Sequence, residues 1–288
     1  MSAVQRADLP SARRVVVKVG SSSISGDRAG SIAPLVTALA AAHGRGTEVV
    51  LVSSGAIATG MPYLQLTSRP TDLATQQAAA AVGQNVLIYR YQAAMREFGI
   101  VAGQVLLTAG DLENRVHRSN ARRAMERLLS LRILPIVNEN DTVATHEIRF
   151  GDNDRLAALV ARLIRADALV LLSDIDCLYT CPPELPEARP IADVAFGDDL
   201  AAFEFGSVVV NSVGTGGAAT KVSAARLAAA SGIGALVTSA DLVAQALSGQ
   251  HVGTWFAPNP SPPESTLTAA LRLASPGAAA HAGAPAAG

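Results

Sequence analysis

Residues 133–154 read ILPIVNENDTVATHEIRFGDND, and this stretch decides the architecture. It opens as a short apolar run, Ile133 to Val137, the pattern of a strand buried on both faces of a parallel sheet. At Asn138, Glu139, Asn140 and Asp141 it turns abruptly polar. Open α/β sheets place ligand sites at the carboxyl ends of their strands. A second polar knot follows at Gly151-Asp152-Asn153-Asp154. Behind it Leu156, Leu159, Val160, Leu163 and Ile164 recur at helical spacing. That knot therefore falls where a helix begins, with free N–H groups and a positive dipole end. Turn and N-cap chemistry alone also favours Asp and Asn. Two successive knots nevertheless hold more acids and amides than turns require.

Working outward, the same alternation recurs along the chain. Apolar runs at Arg14–Val19, Glu48–Val52, Ile100–Leu107, Ala168–Leu172 and Ala235–Ser239 are spaced by helical patterns at 31–43, Leu73–Phe98, Ser119–Leu131, from Arg155, up to about Ser231, and Asp241–Leu247. Gly83-Gln84 suggests a break within the long helix. Such alternation predicts a parallel sheet with helices on both faces. Arg122, Arg123 and Arg127 read as a solvated helix face. Residues 179–206, rich in proline and acids, read as a loop-rich excursion, and Thr254-Trp255-Phe256 closes the folded part. A Pro/Ala/Gly-rich tail over 257–288 has the composition of a disordered segment.

Composition narrows the function classes. With 49% hydrophobic residues the 288-residue chain can bury a substantial core. A net charge of −1 with interspersed signs gives no basic face for nucleic acid. The two cysteines, Cys177 and Cys181, form no disulfide framework, which suits a reducing, cytoplasmic setting. The N-terminus lacks the apolar core of a signal peptide, and no run is long and apolar enough to span a membrane.

Three small-residue loops follow strands or precede helices. Lys18 stands late in the first strand, before Gly20-Ser21-Ser22-Ser23. Ser53-Ser54-Gly55 follows the second strand. Gly214-Thr215-Gly216-Gly217-Ala218-Ala219-Thr220-Lys221 enters a helix. Glycine-rich turns open backbone N–H groups to anionic oxygen. An edge-strand lysine and a merely flexible loop are the plainer readings of Lys18 and of the third loop. The spacing is not GxxxxGK[ST], and no GxGxxG follows a strand. HExxH and zinc-ligand spacings are lacking, and no Ser/His/Asp triad is evident. Lysines beside open amides suit phosphate oxygens, so the residues point to nucleotide-dependent phosphoryl transfer without a P-loop.

The motifs VVVKVGSSS (15–23), VVLVSSGAIATG (49–60), QQAAAAVGQ (76–84), GQVLLT (103–108), LPIVNENDTVATHEIRFGDND (134–154), LLSDIDCLYT (171–180) and GTGGAATK (214–221) together resemble the amino acid kinase superfamily, within it the glutamate-phosphorylating branch. The resemblance spans roughly residues 13–256, taken as the kinase domain. It implies a three-layer αβα sandwich around an open, mostly parallel eight-stranded sheet. It further implies that Lys18 and Lys221 hold the transferring phosphoryl group, while Asp152 and Asp154 organise the site. Ser54, Asn138, Asp141 and Asn153 are implied as glutamate contacts. Ser173, Asp174, Thr215, Gly216, Gly217, Ala218, Ala219, Thr220 and Lys221, with Lys18, are implied for ATP. Mg2+ would be bound mainly through ATP rather than by protein ligands. L-glutamate and ATP are the implied partners, with feedback by L-proline and a homo-oligomer as family habits.

Two departures from the family pattern stand out. Cys177 replaces a usual glycine, a strained substitution if that turn needs a positive φ. Residues 257–288 are too short to form the PUA domain that many relatives carry. Two alternatives remain beside the glutamate reading: an N-acetylglutamate-type kinase, and a non-catalytic protein that binds ATP or an amino acid.

Overall fold

The computed structural model describes residues 5–24, 32–143, 153–198, 200 and 217–262. Its frame is set by β1 (Arg14–Lys18), a fully buried strand. Val15 and Val17 face one apolar cluster and Val16 the other, because side chains alternate across a strand. A strand buried on both faces must be central, and β1 lies between β2 (Glu48–Val52) and β5 (Ala168–Ser173), parallel to both. Lys18 is thus not an edge-strand lysine.

Between β1 and β2 runs α1 (Ile32–Gly44), whose Leu35, Val36 and Leu39 are buried. After β2 come the short α2 (Ala56–Gly60) and the long α3 (Leu73–Arg96). The break suggested at Gly83-Gln84 does not occur, since α3 is continuous. A Cβ on Gly83 would stand 1.7 Å from the Ala56 carbonyl oxygen, and one on Gly60 1.9 Å from that of Ala79. The glycine serves the close approach of α2 and α3 instead of ending a helix.

Next come β3 (Ala102–Leu107), α4 (Ala109–Glu113), α5 (Arg115–Ser130) and β4 (Leu134–Glu139). Two caps separate the helices: the Thr108 hydroxyl accepts from Asp111 N–H, and Asn114 Oδ1 accepts from the Val116 and His117 amides. The polar residues before Ser119, read as outside the helix, therefore belong to α4 and the start of α5. Arg123 and Arg127 are exposed, and Arg122 pairs with Glu126 one turn on, as a solvated face requires.

The second half adds α6 (Asn153–Ile164) and β5, then a two-strand ribbon of β6 (Leu178–Tyr179) and β7 (Pro190–Ile191). These are followed by β8 (Asp193–Val194), α7 (Ala218–Ala230), β9 (Gly234–Ser239), α8 (Val243–Leu247) and β10 (Thr254–Phe256). The excursion read as loop-rich therefore contains three short strands. Two-residue strands are too short for periodicity to reveal.

The main sheet has eight strands in the order β3-β4-β2-β1-β5-β9-β10-β8. Its pairings are parallel except β9 with β10. One face buries Leu35, Leu39, Leu87 and Tyr91 from α1 and α3, and the other buries Leu156, Val160, Ala225 and Ala228 from α6 and α7. This is the three-layer αβα sandwich that the sequence implied. No described helix is long and apolar enough to cross a membrane.

Candidate active site

Parallel register brings the ends of distant segments together. Lys18 pairs with Val52 and Leu171, and Val52 with Val137. The polar residues that follow these positions (Ser53-Ser54, Asn138-Glu139, Ser173-Asp174) therefore emerge along one edge, at the carboxyl ends of the strands.

At the centre of that edge lies Asp154, in the first turn of α6, its side chain wholly buried. Lys18 Nζ is 2.5 Å from its Oδ1, and Lys221 Nζ is 3.2 Å from its Oδ2. Both lysines are buried. The Thr220 hydroxyl lies 3.0 Å from Asp154 Oδ2 and 2.9 Å from the Gly217 carbonyl oxygen. Burial pushes the Asp154 carboxyl up, but the facing charges of Lys18 and Lys221 outweigh it and hold the group at about 2. The carboxylate stays ionised and locks both ammonium groups in place.

Among the described residues, two ammonium groups share this single carboxylate. Two ammonium groups buried against one carboxylate suit an anionic oxygen as a further partner. The first amides of α7 add donors and a dipole beside it: Gly217 is the N-cap residue, and Ala218, Ala219 and Thr220 form the first turn.

The loops after β1 and β2 touch. Gly55 has φ 92°, and a Cβ there would meet Ser21 Cβ at 3.2 Å. Ser22 Oγ donates to Asp174 Oδ1 at 3.0 Å, tying the β1 loop to the β5 loop. Ser54 and Asn138 are buried, while Asn153 and Asp141 are half-buried. Among the described residues, the Asn138 Nδ2 and Asn153 Oδ1 atoms are buried without a hydrogen-bond partner. Polar atoms so placed suit a polar ligand that the chain itself does not supply. Asp152, Thr215 and Gly216 lie outside the described residues.

Sequence reasoning named Thr220 only as part of the third loop, whereas its hydroxyl reaches Asp154. Ser22 likewise enters the sequence reading only as part of the first loop, and Tyr91 does not enter it; a fully buried tyrosine in an alanine-rich helix leaves no local signature. Cys177 would be strained if its turn had a positive φ, and it is not among the residues with positive φ. It sits buried among Asp176 and Tyr179, and its thiol is pushed up chiefly by burial. No strain attaches to the substitution.

Among the described residues no group of three or more His, Cys, Asp or Glu side chains is placed to hold a metal. The donors that converge on this edge are ammonium groups and amides, which fit the phosphate chain of a nucleotide and a metal carried by it.

A doubly covered, mostly parallel sheet with two buried lysines at its carboxyl edge and no Walker loop defines a phosphotransferase of non-P-loop type. The chain belongs to the amino acid kinase family, whose pattern it matches over residues 13–239. It is 72% identical over 258 residues to the glutamate 5-kinase of Clavibacter sepedonicus, covering 90% of this chain and 99% of that one. To the glutamate 5-kinase of Leifsonia xyli subsp. xyli it is 70% identical over 258 residues, covering 90% and 96%. Among solved structures it is similar in fold to the carbamate kinase from Giardia lamblia bound to AMP-PNP. There the TM-score is 0.65 at 17% identity, with 87% of this chain and 100% of that chain covered. Family membership implies ATP with a divalent metal.

Proposed function

We propose that this chain transfers the γ-phosphoryl group of ATP to the γ-carboxylate of L-glutamate, giving L-glutamyl 5-phosphate and ADP. The observation that carries the reading is the buried Lys18–Asp154–Lys221 cluster, in which two ammonium groups face one carboxylate. The identity to glutamate 5-kinases supports the choice of acceptor.

A carboxylate acceptor is already deprotonated at neutral pH, with an ordinary pKa of about 4.3. No general base is required, and catalysis reduces to positioning and charge stabilisation. Lys18 and Lys221 would hold the transferring group from the two sides on which its equatorial oxygens gather charge. Asp154, fixed by Thr220, keeps the two ammonium groups apart and correctly aimed, with Asp152 assisting. Ser54, Asn138, Asp141 and Asn153 would bind glutamate. Ser173, Asp174 and the loop 215–221 would bind ATP, with Mg2+ on its phosphates neutralising charge. The reading extends to feedback by L-proline and a homo-oligomer, which rest on the family resemblance, and to a cytoplasmic setting, which rests on the scarcity of cysteines.

The test is ADP release from the purified chain with MgATP and, in turn, L-glutamate, N-acetyl-L-glutamate, L-aspartate or no acceptor. Turnover with glutamate alone is expected. Turnover with N-acetylglutamate in its place would overturn the acceptor. ATP binding without turnover on any acceptor would favour a non-catalytic role.

A further inference from the structure

Tyr91 is the largest of the fully buried side chains, set in an apolar cluster with Leu51, Leu87, Met95 and Ile136. Its hydroxyl is 3.1 Å from Ser53 Oγ, itself wholly buried. Burial pushes the phenol far above its ordinary range, so it remains protonated. A buried hydroxyl needs a partner, and the direction of the proton chain follows from the next bond. Ser53 Oγ donates to the Ser54 carbonyl oxygen at 3.3 Å. With that proton so used, Ser53 accepts from Tyr91, the arrangement in which both buried hydroxyl protons find an acceptor. The relay runs Tyr91 O–H to Ser53 Oγ–H to the Ser54 carbonyl.

The Ser54–Gly55 peptide is trans, since no peptide bond among the described residues is cis. Its carbonyl and N–H therefore point in opposite directions. Pinning the carbonyl toward the core turns the Gly55 N–H away from it. Ser53 N–H, bonded to the Val137 carbonyl at 2.9 Å, fixes the other end of the turn on β4. Gly55, at φ 92°, holds a backbone conformation that glycine adopts without strain. We propose that Tyr91, from inside the core, is a positioning residue for the acceptor side of the site, orienting the Ser54–Gly55 peptide through Ser53. This rests on the assignment of Ser54 to glutamate binding.

The test is a double-mutant cycle in the full chain with Tyr91→Phe, Ser53→Ala and both. Tyr91→Phe keeps the ring and removes only the hydroxyl. Each single change is expected to raise the glutamate KM at least threefold, with the ATP KM within twofold. The double variant should match one single variant, not the product of the two, because both break one relay. The amide cross-peaks of Ser54 and Gly55 should shift in Tyr91→Phe while those of Asp154 and Lys221 stay in place. A lowered Tm with unchanged glutamate KM, or equal rises in both KM values, would reduce Tyr91 to a packing residue. If the wild-type chain turns over another acceptor, the glutamate reading fails and that acceptor's KM becomes the readout. If no acceptor is turned over, unmoved Ser54 and Gly55 cross-peaks would by themselves sink the relay.

Discussion

Lys18 Nζ and Asp154 Oδ1 meet at 2.5 Å with both side chains buried, one at the end of the central strand and the other in the first turn of α6. Removing one partner of such a pair leaves an uncompensated buried charge, which costs about 3–5 kcal/mol. In Asp154→Asn two ammonium groups would lose their shared counter-charge. The expected outcome is a lower urea midpoint with almost no turnover. A variant as stable as wild type would show that the lysines are not held by this carboxylate.

The same carboxylate sets an acid limit. Its pKa in the folded chain, about 2, lies below the ordinary carboxylate value. Its contribution is therefore fully present above the unfolded value of about 3.9, and it is lost as pH falls from there towards 2. The stability gap between wild type and Asp154→Asn should stay level from pH 7 to about 5 and shrink between about 4 and 2. Urea titrations at stepped pH measure it. A gap that closes already between pH 7 and 5 would contradict the depressed pKa.

Lys221 is the fourth residue of α7, one residue past the hydroxyl that also reaches Asp154. Its ammonium group would meet charge that gathers mainly in the transition state, so its loss should appear in kcat. By analogy with an oxyanion-hole donor, Lys221→Ala is expected to lower kcat about 10²–10³-fold. The glutamate KM should move far less. Steady-state kinetics separate the two, and equal turnover in variant and wild type would remove Lys221 from the reaction.

Asp141, itself half-buried, follows β4 in a turn on the strand end next to that of Ser54. If it binds the charged end of glutamate, its loss removes a charge-assisted bond of about 1.5–3 kcal/mol. Asp141→Ala should then raise the glutamate KM roughly tenfold or more and leave ATP affinity unchanged. A fall in ATP affinity at constant glutamate KM would mean that the two sides of the site are reversed.

Much of this was legible because buried parallel strands are short apolar runs that end where function begins. The run before Asn138 and the strand that carries Lys18 announced both the sheet and the polar edge proposed as its site. What could not be read was proximity. Asp154 and Lys221 stand 67 residues apart, and only the sheet order makes them neighbours. Spacing grouped Asp154 with Asp152 and Asn153 as equals, whereas the fold buries Asp154 and gives it two lysines and a threonine hydroxyl. The strands β8 and β10 extend the sheet by only two and three residues; β8 escaped notice as a strand, and the residues of β10 were read only as the close of the folded part. Gly83 was misread for a related reason, since local propensity sees a helix breaker and tertiary contact sees a space that must stay empty.

That misreading gives a test in which two physical effects oppose each other. Helix propensity alone favours alanine over an interior glycine by about 1 kcal/mol, so Gly83→Ala would stabilise α3 if nothing lay against it. The added Cβ, however, would fall 1.7 Å from the Ala56 carbonyl oxygen and 2.6 Å from the Gly60 nitrogen. Both are backbone atoms of α2, which cannot turn aside as a flexible side chain would. Relief requires α2 to move away from α3, and overpacking of this kind costs about 1–3 kcal/mol or more. Since α2 follows directly on Gly55, that movement would also disturb the turn that carries Ser54. Gly83→Ala is therefore expected to lower Tm by several degrees, at about 2–4 °C per kcal/mol for a domain of this size, and to raise the glutamate KM. An increase in Tm would mean that propensity outweighs the contact and that α2 and α3 are not packed backbone to backbone.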